Sequence, residues 1–302
     1  MNRMRAGLSL AAWIGFAGSA FAWGFAVGVK LDALTGLRVS YNGLGVESCF
    51  LTSGGERLTT KQVPTGATVK LHLGGVEGFV EEKGRVYPGG SLVVEDADGK
   101  AVFSERDAFA EYDAKGVSPA DAKSLSLSLK IGSPIRPGQT YVWKSRFWDK
   151  RGKGAITSEV KIEVKLPPFL KLAAKGVTWD DFFLAANHER VARNEVTMGS
   201  DLALVLTGAR GFVEEKGRVH VGATMTVTDE TGKAMMDTKD LMADTDATGI
   251  SLADAKTLSL TLTPGRPMSP GHTYTWKARF WDKKGPGAVL GEAQLKVTAA
   301  TK

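Results

Sequence analysis

The sequence predicts an all-β chain built as two tandem antiparallel β-sandwiches with short helical insertions. Three observations carry that expectation. Apolar and polar residues alternate with period two over many short runs. Glycine is abundant, at 36 of 302 residues, which suits a chain rich in turns. One half of the chain repeats the other.

Composition sets the frame. At 43% hydrophobic and 24% charged residues, the chain is too apolar for a disordered segment. Its 302 residues suit two domains, each large enough to bury a core. The single cysteine rules out an intramolecular disulfide. Four histidines leave little material for a metal centre.

Residues 1–22 read as an export signal. Arg3 and Arg5 precede a short apolar run, Leu8 to Ala17, and Ala20-Phe21-Ala22 is a small-x-small cleavage pattern. The run is too short to span a bilayer, and no later stretch is long enough to cross one. The expected mature chain begins at Trp23, extracytoplasmic, either periplasmic or secreted. Its loss of two arginines lowers the net charge from +6 to +4. Lysine and glutamate are interspersed with no long basic run, so a nucleic-acid partner is not expected.

Residues 23–36 form a lead-in, followed by the repeat. GFVEEKGRV at Gly78–Val86 recurs unchanged at Gly211–Val219. The same offset carries Leu37–Val164 onto Leu170–Val297 without a gap, at roughly 45% identity. Each unit has the length of a domain rather than of a solenoid repeat. Residues 165–169, with Pro167-Pro168, form a short stiff linker, and 298–302 a C-terminal tail.

Within each unit the elements follow from local chemistry. Val69–Leu73 alternates, and Asp98-Gly99 marks a hairpin turn matched by Thr231-Gly232. Extra length lies between Ser104 and Lys123, where Ser118-Pro119 opens a one- or two-turn helix with serine at the N-cap. Ser124–Leu129 and Thr257–Leu262 alternate strictly. Pro137-Gly138 and Pro270-Gly271 precede a long aromatic strand. In that strand Tyr141, Trp143, Ser145 and Phe147 share one face, and Val142, Lys144, Arg146 and Trp148 the other. Seven to nine short strands per unit result. Cys49, beside Phe50 and matched by Phe182, reads as a core residue.

Pro137-Gly138-Gln139-Thr140-Tyr141, the aromatic strand to Asp149, Gly152-Lys153-Gly154 and a final alternating strand resemble the last third of fibronectin type III and related immunoglobulin-like modules. Pro270–Val297 repeats the pattern. The resemblance covers about 28 residues per unit and implies that Tyr141 and Tyr274 bond nearby backbone as a tyrosine corner.

No catalytic motif is present: no G-x-S-x-G, no H-E-x-x-H, no P-loop. No histidine occurs at matched positions of the two units, so a histidine-based centre in each is excluded. The chain is expected to be no enzyme, but a binding or scaffolding protein with a protein partner, or alternatively a surface glycan or calcium. Three features are candidate sites. Asp107, Glu111 and Asp113 match Asp240, Asp244 and Asp246, an oxygen-rich set that suits Ca2+ and equally a solvated short helix with Phe109 and Met242 facing the core. Lys144, Arg146 and Trp148 match Lys277, Arg279 and Trp281, placing cations beside an indole on one sheet face; they form a partner or glycan surface unless the long stems merely cover the indole. The repeated loop offers Glu81, Glu82, Lys83 and Arg85, with Glu214, Glu215, Lys216 and Arg218, either as a partner epitope or as a plain hairpin.

Overall fold

The Leu-Ser and Leu-Thr alternations do form strands with one dry face. In Ser124–Lys130 every leucine is buried and every serine exposed. The computed structural model describes residues 27–300. The expected signal, its cleavage site and the start at Trp23 lie outside the described residues.

The strands of four or more residues in the first repeat and its lead-in are β1 (Val27–Asp32), β2 (Leu37–Asn42), β3 (Ser48–Ser53), β4 (Thr68–Gly74), β5 (Pro88–Glu95), β6 (Ala101–Glu105), β7 (Ser124–Lys130), β8 (Thr140–Asp149) and β9 (Ala155–Lys165). The second repeat holds β10 (Leu170–Lys175), β11 (Asp181–Ala186), β12 (Leu202–Thr207), β13 (Val221–Thr228), β14 (Ala234–Asp237), β15 (Thr257–Leu262), β16 (Thr273–Asp282) and β17 (Ala288–Thr298). Ladders of two or three residues add to these. The strand count therefore exceeds the expected seven to nine only through such ladders.

Each repeat is an antiparallel sandwich. The larger sheet of the first runs β1-β2-β9-β8-β5-β6, and the smaller contains β3-β4-β7. The second runs β10-β17-β16-β13-β14 over β11-β12-β15. Inward residues of both sheets share one apolar cluster per repeat. Trp143 and Phe147 lie in the first cluster, Trp276 and Phe280 in the second. Cys49 is buried, and burial pushes its thiol pKa up, so it behaves as a small core hydrophobe.

Within the stretch read as a lead-in, Val27–Asp32 is a strand: β1 pairs antiparallel with β2 and forms the sheet edge. Asp32 at its end is buried, accepting from the Arg57 guanidinium at 3.0 Å and from Thr35 Oγ1 at 2.7 Å. Arg136 of the first repeat meets Asp180 of the second at 3.2 Å.

Both tyrosine corners are present. Tyr141 Oη accepts the Arg136 N–H at 2.8 Å, and Tyr274 Oη accepts the Ser269 N–H at 2.8 Å. The rings are buried, so removal of the hydroxyl leaves a backbone N–H without its partner. Tyr141→Phe and Tyr274→Phe should each destabilise by about 1–2 kcal/mol. Urea unfolding should show the lower midpoint with an unchanged slope.

Candidate functional site

The aromatic strands β8 and β16 organise the candidate surfaces. Their inward residues fill the core, so their outward residues are fixed in direction by period two. Each strand ends on a buried carboxylate. Asp149 Oδ2 accepts the Val80 N–H at 2.6 Å, and its Oδ1 accepts the Arg151 N–H at 2.9 Å. Asp282 holds Val213 and Lys284 in the same way, at 2.6 and 2.9 Å. Each clamps the GFVEEKGRV loop to the strand end.

That loop is a hairpin. Lys83 and Gly84 both have positive φ, at 53° and 76°, as do Lys216 and Gly217, which is the geometry of a type I′ turn. Glu82 and Arg85 bridge it in the first repeat, and Glu214–Glu215 pairs with Arg218–Val219 in the second. Val86 and Val219 are buried anchors. Glu82 reaches Arg151 at 3.2 Å, whereas Glu215 reaches Lys284 at 3.6 Å. Arg218 donates to the Gly249 carbonyl at 2.8 Å. Glu81, Lys83, Glu214 and Lys216 are exposed. The unbroken identity thus includes positions with definite backbone and packing duties.

The acidic set is paired with a lysine in both copies. Instead of an oxygen cage open to calcium, two of the three carboxylates in each copy converge on a lysine. Lys150 Nζ bonds Asp107 at 2.6 Å and also bonds Asp113 and the Phe109 carbonyl. Lys283 Nζ bonds Asp240 at 2.6 Å, Asp246 and the Met242 carbonyl. The three ammonium donors are used, and the ammonium stands where a cation would sit. Glu111 and Asp244 point to solvent. Among the described residues no group of three His, Cys, Asp or Glu converges to hold a metal. Phe109 packs on the core at 6.1 Å from the Phe147 ring, as the helical alternative expects. Sequence reasoning missed the lysines, although a lysine directly follows the closing Trp-Asp of the aromatic strand in both copies.

On the outward face, Trp148 and Trp281 are half-buried. Each indole lies against a glycine of the neighbouring strand, Gly89 or Gly222, where a Cβ would overlap the ring. Arg146 stands over the Trp148 ring at 5.6 Å, and Arg279 over Trp281 at 5.1 Å. Each indole thus has the backbone of a glycine and a guanidinium as neighbours. Lys144 bonds Glu95 at 2.6 Å, which holds its ammonium above the usual lysine pKa. Lys277 lies 4.0 Å from Glu292. In the first repeat a shallow depression of about 430 Å³ opens beside Arg38, Lys144 and Arg146.

Among the described residues no helix is long and apolar enough to cross a membrane. No family model matches the chain, and no curated protein matches it. Among solved structures, the chain is similar to the C-terminal domain of wzt, at 12% identity and TM-score 0.29, over 44% of this chain and 81% of that one. It is also similar to fibronectin(III)-like modules of Clostridium thermocellum CbhA, at 11% identity and TM-score 0.21, over 83% and 95% of the two chains. The fold assignment rests on the strand topology above.

The lysine cages set a pH dependence. Burial alone would push Asp107 and Asp240 up, but the lysine and two backbone N–H groups outweigh it and hold both below the usual carboxylate value. Burial would push Lys150 and Lys283 down, but the paired aspartates outweigh it and hold both above the usual lysine value. The carboxylate contribution is complete above about pH 3.9 and is lost as pH falls through the lowered folded-state values. The lysine contribution is complete below about pH 10.4 and is lost as pH rises through the raised ones. Lys150→Met and Lys283→Met should lower the melting temperature most between those limits, and the difference from the parent should shrink at both extremes. Separately, Gly89→Ala should displace the Trp148 indole, read as a change in tryptophan emission.

Proposed function

We propose that the chain is an exported, non-enzymatic binding or scaffolding protein of adhesive type. The outward faces of its two larger sheets are the contact surfaces for an acidic partner. The observation that carries this is a duplicated arrangement in which an indole lies against a glycine and within cation–π range of an arginine, Arg146–Trp148–Gly89 and Arg279–Trp281–Gly222. An arginine drawn to an aromatic ring by cation–π attraction loses less freedom when its donors engage a carboxylate or sulfate. Neither guanidinium takes part in an ion pair or side-chain hydrogen bond among the described residues, so its donors are available to a ligand.

The arginine and the glycine backbone beside each indole leave less of the ring open, which favours charge recognition over sugar stacking on it. Calcium finds no support in the lysine cages. Export rests on the N-terminal charge, apolar run and small-residue pattern.

The test is retention of the purified protein on immobilised poly-L-glutamate and on immobilised polygalacturonate. Arg146→Ala with Arg279→Ala should elute from both at clearly lower salt than the parent, with an unchanged melting temperature. A chelator should leave retention unchanged. Equal elution of parent and variant would refute the assignment of this face.

A further inference from the structure

We propose that the outward face of the first repeat is a site for an acidic polysaccharide laid across the strands. This rests on the reading of that face as a contact surface and names its ligand class. The second repeat lacks the site and serves as its natural control.

The register of the larger sheet carries the proposal. Ser91 on β5 lies opposite Arg146 on β8, Arg146 opposite Thr157 on β9, and Thr157 opposite Ser40 on β2. Residues bearing a hydroxyl, a guanidinium, a hydroxyl and a hydroxyl therefore hold one row of backbone positions across four adjacent strands, on the outward face. None of the three hydroxyls bonds another side chain among the described residues. The row lines the depression of about 430 Å³, and Lys144 and Arg38 border it one row away with Glu159 between them. The cations exceed the acids there, which suits an anionic ligand. The hydroxyls suit one that also offers many hydroxyl groups.

Spacing separates a saccharide from a peptide. Adjacent strands are about 4.8 Å apart, so the row offers one polar residue per step of that length. That step is of the same order as the advance of one pyranose residue along a polysaccharide. An extended acidic peptide presents like-facing side chains about every 6.8 Å and falls out of phase with the row.

The matching row of the second repeat is Thr224, Arg279, Leu290 and Ala173. The arginine is kept, but two hydroxyls are replaced by apolar side chains, and Leu290 is 45% exposed. The second face therefore keeps its charge and loses the row.

The experiment is calorimetric titration of the whole protein with oligogalacturonate, its carboxyl-reduced form and poly-L-glutamate. Ser40→Ala with Thr157→Leu installs the side chains that the second repeat already carries at these positions. It should weaken oligogalacturonate by about tenfold or more and leave poly-L-glutamate unchanged. The carboxyl-reduced oligomer should bind the parent at least about tenfold more weakly than the acidic one. The reciprocal change, Ala173→Ser with Leu290→Thr, should strengthen oligogalacturonate binding. Poly-L-glutamate binding as tightly as oligogalacturonate, or a Ser40/Thr157 variant with parental affinity, overturns the saccharide assignment while leaving the charged contact face intact. Binding of neither polyanion overturns both.

Discussion

One carboxylate per repeat holds the arrangement together. Asp149 and Asp282 are almost fully sealed from water, and two backbone N–H groups satisfy each. A buried charge left without such donors is strongly unfavourable, so strand end, hairpin and following loop are fixed as a set. Everything outward on the aromatic strand inherits its position from that anchor. The indole before the aspartate is set over its glycine, and the lysine after it is aimed into the acidic loop. A substitution at the aspartate would therefore disturb the hairpin, the indole and the lysine cage together.

Much of the fold could be read in the sequence because it depends on period two and on turn chemistry. Ser124–Lys130 shows this directly, since its alternation alone decides which side is dry. Asp96 and Asp229 likewise behave as local chemistry requires, each accepting from two backbone N–H groups of its own turn. The tyrosine corners followed from the resemblance of the last third of each unit. Residues 23–36 were less legible. Val27, Val29 and Leu31 alternate, but they face outward and remain exposed, so the pattern gave no core to join.

The site was legible by residue type but not by partner. The acids of Asp107 and Asp113 were found, yet whether a metal or an ammonium neutralises them depends on a residue some forty positions away in the chain. Likewise Arg146 and Trp148 were found, but the glycine beneath the ring lies on another strand. The row of hydroxyls was invisible for the same reason. Its members come from four strands, and only register brings them into line. The repeats also diverge in a way that no single strand reveals. Arg57 is met by Asp32 of β1, whereas its counterpart Arg190 is met by Asp181 within the second repeat. Each arginine finds a buried carboxylate, from a different source.

The position of β1 bears on the order in which the chain can fold. In both repeats the last strand is inserted between the first and the penultimate: β9 between β2 and β8, β17 between β10 and β16. The opening strand of a repeat thus lacks its long-range neighbour until the whole repeat has been synthesised, and such distant pairings form slowly. In the first repeat β2 already has a hairpin companion in β1, which closes over a short turn and needs nothing downstream. In the second repeat β10 has no such companion. As the chain emerges from its N-terminus, β2 is sheltered on one edge while it waits, and β10 stays bare on both until β17 arrives.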